Sequence, residues 1–314
     1  MATTERPADV VLGMDLGGTK VAAALVDEHG QMHELRIKPR PIGDDLEGAC
    51  LEFAREMVTA GVRAIGVGAA GLVEADAGML VWGPNVQGRH MRFRDVFERE
   101  LELPTAVDND ATLAGLAETR MGAAVGYHHV EMITIGTGIG GGWMIDGRRC
   151  HGAGFAGEIG HVILDVEGPR CACGQRGCWE TLVSGTRLDR AARDLVATDP
   201  GGKVAKLTLD ATVTGRHLTE ATIGGDHQAI GAIAEIARWL GIGIANLVVA
   251  FDPEIVVIGG GVARAGELLL EPARQAFNET LSGADHRKST PIVAATLGEH
   301  AGVVSAGLLA WEEC

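Results

Sequence analysis

The chain lacks a charge-free apolar run of membrane-spanning length, a framework of paired cysteines and any excess of positive charge, and each absence removes a class of function. Lys and Arg number 27 against 42 Asp and Glu, a formal net charge of −15 at pH 7, so nucleic acid and anionic membrane surfaces would be repelled at long range. The same charge does not argue against a small phosphorylated ligand held by a local loop and a cation. The most apolar long stretch, Ala229 to Phe251, carries Glu235, Arg238 and Asn246, the first two on one helical face; it reads as a core or interface helix rather than a span. Three of the six cysteines crowd between Cys171 and Cys178 and the others are scattered, unlike a secreted disulfide scaffold. Met1 to Asp9 is polar, without the apolar core of a secretory signal, and a reduced, cytoplasmic compartment is the expectation. Neither G-x-x-x-x-G-K-[ST] nor an H-R-D loop occurs, which leaves two common phosphate-handling mechanisms without support.

What is present is a 314-residue chain, 46% hydrophobic and with 46 glycines, long enough for a substantial core and more suited to two lobes than one. The glycines fall in short clusters at the ends of apolar runs and read as turns and phosphate-approach points.

Val10 to Asp15 is a buried strand, Leu16-Gly-Gly-Thr-Lys20 a glycine turn, and Val21 to Val26 a return strand ending at Asp27-Glu-His-Gly30. A helix from Asp44 to Ala60, a strand Ala64 to Ala69, a helix near Phe93 to Leu101, and a strand Thr105 to Asn109 running into a helix at Asp110 follow from the apolar periods. The pattern then restarts: Val130 to Gly136 is a strand, Thr137-Gly-Ile-Gly-Gly-Gly142 a turn, Trp143 to Asp146 a return strand. This predicts an internally duplicated α/β fold. Helix–strand alternation continues through Ala229 to Val249, Glu254 to Ile258, Gly266 to Leu281 and Pro291 to Leu297, and Ala301 to Glu313 closes the chain as an amphipathic helix. Ala197 to Asp226 reads as surface helices or loops.

Each motif has a plain alternative. The turns Asp15-Leu-Gly-Gly-Thr-Lys20 and Gly136-Thr-Gly-Ile-Gly-Gly-Gly142 would let backbone N–H groups and threonine hydroxyls approach phosphate oxygens, with Asp15 a candidate for a magnesium ion. One such hairpin turn would mean little; two in corresponding places of a repeat mean more. Gly66-Val-Gly-Ala-Ala-Gly71 and Gly136 to Gly141 both spell the dinucleotide pattern, but a strand rather than a helix is expected after each, which makes a nicotinamide oxidoreductase a weak reading. Glu158-Ile-Gly-His161 followed by Cys171, Cys173 and Cys178 offers three thiolates and an imidazole, the donor set of a closed tetrahedral zinc site, with Glu158 and Glu180 flanking it. Val107-Asp108-Asn109-Asp110 ends a strand and opens a helix, so its side chains would either cap the helix or project at the carboxyl edge of a sheet, with Asp110 the candidate general base.

Taken in order, these segments together with Pro84-Asn85, Asn109-Asp110-Ala111 and Val257-Ile-Gly-Gly-Gly-Val262 resemble the ROK family of bacterial sugar kinases over nearly the whole chain. The cysteines and Ala237 to Pro253 are most similar to its zinc-containing glucokinases. The resemblance implies an actin-like ATPase (ribonuclease H-like) duplicated α/β fold, two lobes with a central cleft: an N-terminal lobe, 1–112, completed by the C-terminal helix 301–314, and a larger lobe, 113–300, carrying a zinc loop at 161–180. It implies ATP with Mg2+ as co-substrate, a structural Zn2+ on His161, Cys171, Cys173 and Cys178, and a homodimer or homotetramer. Asn85, Asn109, Asp110, Glu158, His161 and Glu180 would bind the sugar, glucose first among hexoses, and Asp110 would take the proton from its 6-hydroxyl. Asp15, Gly17, Gly18, Thr19, Lys20, Thr137 and Gly138 would meet phosphates and magnesium, and Gly259, Gly260 and Gly261 would lie beside the adenosine. Asp108 stands where relatives often have Glu, and Thr112 where Asn is common. Other hexose kinases, N-acetylglucosamine and N-acetylmannosamine kinases among them, share the motif. A non-catalytic sugar-sensing regulator would need an N-terminal DNA-binding segment, for which the residues before Val10 leave no room.

Overall fold

The structure is a computed structural model that describes residues 9–41, 45–83, 90–208 and 212–314. Its elements are β1 Val10–Leu16, β2 Lys20–Val26, β3 Met32–Pro39, α1 Leu46–Met57, β4 Val62–Ala69, β5 Leu72–Glu74, β6 Met79–Trp82, α2 Phe93–Leu101, β7 Thr105–Asn109, α3 Asp110–Met121, β8 Val130–Ile135, β9 Ile139–Ile145, β10 Arg148–Arg149, α4 Trp179–Leu182, α5 Gly185–Thr198, α6 Lys203–Leu207, α7 Gly215–Ile223, α8 His227–Phe251, β11 Ile255–Gly259, α9 Glu267–Thr280, β12 Ile292–Ala294 and α10 Ala301–Trp311. The chain divides into two compact units, one of residues 1–122, 148–157 and 297–314, the other of 123–147 and 158–296.

In the first unit the strands run in the order β3-β2-β1-β4-β7, with β1, β4 and β7 parallel. Alternation on β1 is complete. Val10, Leu12, Met14 and Leu16 pack with Leu46, Phe53, Phe93 and Phe97 of α1 and α2, while Val11 joins Ala64 and Ala310 on the other side. A strand buried on both faces therefore reads as an unbroken apolar run. On the second face α10 lies almost on the sheet backbone: a β-carbon at Gly13 would sit 2.3 Å from Val303 O, and one at Gly66 1.8 Å from Ala306 O. This use of glycine differs from the expected turns and phosphate approaches. Close packing against the sheet and α3 also overturns the amphipathic reading of the last helix, because Ser305 to Ala310 are buried without interruption.

Strand β3 is not announced by an apolar pattern in the sequence. It pairs antiparallel with β2 after a turn in which Asp27 Oδ1 accepts from the N–H groups of His29 and Gln31; charges along this edge strand hide its alternation. Helix α1 ends at Met57 rather than Ala60, and its expected start at Asp44 lies outside the described residues. The division between units falls after α3, not at residue 112, because α3 packs along α10 and stays whole.

In the second unit the order β9-β8-β11-β12 repeats β2-β1-β4-β7, with antiparallel β8–β9 and parallel β8–β11–β12. The return strand begins at Ile139, not Trp143. Gly140, Gly141 and Gly142 are in register with Thr134, Ile133 and Met132, so the ladder overrides their weak strand preference. Helix α8 is long and apolar enough to cross a membrane by length and composition, yet more than half of its most apolar window is buried in the protein, against α9, α7 and α5. The stretch 197–226 forms the end of α5, then α6 and α7, whose Val204, Leu218 and Ala221 enter the core; residues 209–211 lie outside the described set.

Candidate functional site

In the first unit the register of the parallel strands assembles the acidic cluster. Asp15 of β1 stands opposite Gly68 of β4, Gly68 opposite Asp108 of β7, and Ala69 opposite Asn109, so Asp15 and the β7–α3 corner share one carboxyl edge of the sheet. Asp15 is half-buried; burial, then the negative charge of Asp110, push its pKa up to about 6 against the opposing charge of Lys20. Burial likewise raises Asp110 above the ordinary carboxylate range, although Ala111 N–H donates to its Oδ1 at 2.9 Å. Two carboxyls that repel each other in a poorly solvated place are suited to holding a cation or taking a proton.

Both readings of the Asp108-Asn109-Asp110 corner find a residue. Asn109 is the N-cap of α3: its Oδ1 accepts from Ala111 and Thr112 N–H at 2.9 and 3.1 Å, and its Nδ2 donates to Gly71 O at 3.0 Å. One amide hydrogen remains for a ligand. Asp108 is fully buried and bound by Arg149 Nη1, by His151 Nε2 at 2.9 Å and by the N–H of Asn109 at 2.7 Å. Neither Arg149 nor His151 was singled out in the sequence, where about forty residues separate them from Asp108. The first glycine turn has a similar unseen support: Arg40 Nη1 donates to Gly17 O at 2.8 Å and its backbone N–H to Thr19 O at 2.9 Å, while Gly18, Thr19 and Lys20 are exposed. Asn85 lies outside the described residues.

The second unit holds the remaining candidates. One ligand atom from each of His161, Cys171, Cys173 and Cys178 lies within 4.8 Å of the others. Cys173 Sγ is 3.6 Å from Cys178 Sγ, and Cys171 Sγ is 3.8 Å from His161 Nδ1; the edge of a tetrahedron with 2.3 Å metal–sulfur bonds is about 3.8 Å. The donor set and spacing thus fit zinc. Gly174 and Gly177 turn the loop with φ of +96° and +67°, a conformation that favours glycine. Trp179, buried against Gly243 of α8 and donating Nε1–H to Trp239 O at 3.0 Å, anchors the loop. Around this point Glu180 Oε1 accepts from Cys171 Sγ at 2.9 Å and lies 3.7 Å from His161 Nδ1, while Glu158 Oε2 lies 3.9 Å from His161 Nε2.

The second glycine turn meets the same cluster. A β-carbon at Gly138 would sit 2.4 Å from Glu180 Oε2. Thr137 O accepts from Thr186 Oγ1 at 2.9 Å and Gly136 O from Gly185 N–H at 2.7 Å, at the first turn of α5. Gly260, at φ +86°, packs on Ile135, so the turn after β11 lies beside the end of β8. A cavity of about 660 Å³ opens here, lined by Gly185, Leu188, Arg216, Ile223, Gly261 and Val262 among others, a volume and apolar–polar mix suited to a nucleoside. Arg216 and Ile223 come from the stretch read only as surface. Strands rather than helices follow both dinucleotide-like patterns, as β5 and as β9 itself, so the context that pattern needs is missing.

A model of the ROK family matches residues 11–313. The chain belongs to the ROK family. It is 36% identical over 310 residues to a glucokinase of Streptomyces coelicolor, covering 96% of this chain and 98% of that one. A ROK family glucokinase of Streptomyces griseus, solved with glucose and AMPPNP, superposes with a TM-score of 0.86 at 36% identity, covering 96% and 99% of the two chains. A ROK hexokinase of Thermus thermophilus, also 36% identical, gives 0.80 over 97% and 98%. The fold is accordingly the two-lobed actin-like ATPase fold of these kinases.

Proposed function

We propose that this ROK protein is a glucokinase that transfers the terminal phosphate of ATP to the 6-hydroxyl of glucose. The observation that carries the reading is Asp110: a carboxyl at the carboxyl edge of a parallel sheet, raised by burial beside Asp15, on the rigid first turn of a capped helix. The similarity to a glucokinase solved with glucose and AMPPNP supports both substrates.

In this mechanism Asp110 accepts the proton of the attacking hydroxyl, a general-base contribution of about 10² to 10⁴ in rate. Asn109, through its one remaining amide hydrogen, and Glu158, His161 and Glu180 orient the sugar, as would Asn85. The glycine turns at Gly17-Gly18-Thr19-Lys20 and Thr137-Gly138 meet the phosphates, Asp15 meets the magnesium of the nucleotide directly or through water, and the cavity beside Gly259, Gly260 and Gly261 takes the adenosine. Positioning and charge neutralisation, with water kept from the phosphate, supply the rest of the acceleration.

His161, Cys171, Cys173 and Cys178 would hold zinc, whose part in a closed four-ligand site is to order the loop. His161 Nδ1 faces the thiolates, which leaves Nε2 to Glu158 and the sugar. The same reading makes the protein a cytoplasmic dimer or tetramer, which light scattering on the purified protein tests. The deciding assay is ATP-dependent phosphate transfer to glucose, mannose, N-acetylglucosamine, N-acetylmannosamine and fructose, with ADP and sugar phosphate both measured. Preference for glucose bears the proposal out; preference for an acetamido sugar moves the substrate within the family, and no turnover on any sugar sinks the kinase reading. Asp110→Asn should fold and bind glucose but turn over at least 100-fold more slowly.

A further inference from the structure

The Asp108 carboxylate is buried and lies two residues before the proposed base. Two groups that arrive from a distant segment bind it: Arg149 through Nη1, and His151, whose Nε2 lies 2.9 and 3.1 Å from the two oxygens. Asp108 in turn accepts the N–H of Asn109 at 2.7 Å, and Asn109 caps the helix whose first residue is Asp110. Arg149 is itself fixed, because its Nη2 pairs with Glu312 Oε2 at 2.7 Å, and Arg120 at the end of α3 pairs with Glu312 Oε1 at 2.7 Å. The network therefore grips α3 at both ends: at its N-cap through Asp108 and Asn109, and at its last turn through Arg120 and Glu312. The His151 segment is rigid too, since His151 O accepts from Gly154 and Ala156 N–H at 2.8 and 3.0 Å. The charged groups facing His151 are Asp108, Arg149 and Asp76.

We propose that His151 and Arg149 are positioning residues that clamp Asp108 and thereby set the direction in which Asp110 presents its carboxylate to the acceptor hydroxyl. The inference rests on the assignment of Asp110 as base, and it adds a function for a segment that touches neither sugar nor nucleotide in that reading. The Arg149 guanidinium on this buried carboxylate also offsets the negative charge that Asp108 would otherwise add beside Asp15 and Asp110. Without His151, Asp108 keeps Arg149 and the Asn109 N–H but loses the one side chain that bridges its two oxygens, and the corner is free to shift. A displacement near 1 Å at a reacting group is enough to cost about 100-fold in rate.

The test is a double-mutant cycle between His151 and Asp110, read as kcat and KM separately at saturating ATP. His151→Ala should lower kcat by about 10- to 100-fold with little change in the KM for ATP. His151→Gln, which keeps a hydrogen-bond donor, should recover most of that loss and controls for folding. In the Asp110→Asn background, His151→Ala should cost at most a further 2-fold, because its effect runs through the missing base. A full second loss in that background, or wild-type kcat in folded His151→Ala, overturns the positioning role while leaving the base assignment intact. Near-normal turnover by Asp110→Asn overturns the base assignment first, and the inference with it.

Discussion

Glu131 gives the most direct test of the energetics. It sits on β8, fully buried, opposite Trp143 on β9 and Val256 on β11, and neither of its carboxyl oxygens has a hydrogen-bond partner among the described residues. Burial pushes its pKa well above the model-peptide value of 4.5. The folded chain consequently holds a proton that the unfolded chain releases above pH 4.5, so stability falls as pH rises, by about 1.4 kcal/mol per pH unit until the folded-state pKa is passed. Below pH 4.5 both states are protonated and only the unmet hydrogen bonds remain, worth about 1–3 kcal/mol. Glu131→Gln removes the titration and keeps the unmet polar group; Glu131→Leu, of similar volume, removes both. In urea denaturation from pH 4 to 8, the Leu variant should be more stable than wild type by about 1–3 kcal/mol at pH 4, and the advantage should widen with pH. The Gln variant should match wild type at pH 4 and overtake it above pH 5. A pH-independent difference between Gln variant and wild type would refute the buried-acid account, and a destabilised Leu variant would show that the carboxyl has a partner.

Catalysis should show an acid limb above the ordinary carboxylate range, because Asp110 must be ionised to accept a proton and burial raises its pKa, with Asp15 pushed up to about 6; a kcat/KM profile flat down to pH 4.5 would count against both. Cys173→Ser should lose zinc, measured by elemental analysis, and weaken glucose binding in parallel through Glu158, His161 and Glu180; wild-type protein without stoichiometric zinc would end the metal assignment. Gly66→Ala places a β-carbon 1.8 Å from Ala306 O and should destabilise the first unit by about 1–3 kcal/mol or more. Gly18→Ala, with open space and no positive φ, should leave the melting temperature unchanged.

Much of the architecture was legible because it rests on local patterns. The hairpin around Gly17, its counterpart around Gly138 and the β7–α3 corner follow from apolar runs that stop at glycine or Asp-Asn, and the ROK resemblance ties them to one fold. The failures have physical causes. Strand β3 is an edge whose His33, Glu34, Arg36 and Lys38 enter ion pairs and hydrogen bonds with Asp27, Glu56 and each other rather than a core, and β9 carries three glycines that only its ladder with β8 makes into a strand. Arg40, Arg149 and His151 could not be found by spacing, since their targets are a carbonyl and a carboxylate that approach only after folding.

The glycine content shows where reading by motif reaches its limit. Gly17 and Gly138 belong to turns, and at Gly138 the missing side chain also makes room for the Glu180 carboxylate. Gly13 and Gly66 face α10, and Gly241 faces Ala273 and Phe277 of α9 at separations that admit no β-carbon. In a sequence these two groups look alike, as single glycines at the ends of or within apolar runs. They differ in what opposes them: at Gly138 the end of the Glu180 side chain and at Gly17 only its own turn, but at Gly13, Gly66 and Gly241 the backbone of another helix. The first group should tolerate alanine at a cost in function and the second at a cost in stability. That separation assigns the abundance of glycine partly to turns and partly to the close seating of α10 and α8 in their cores.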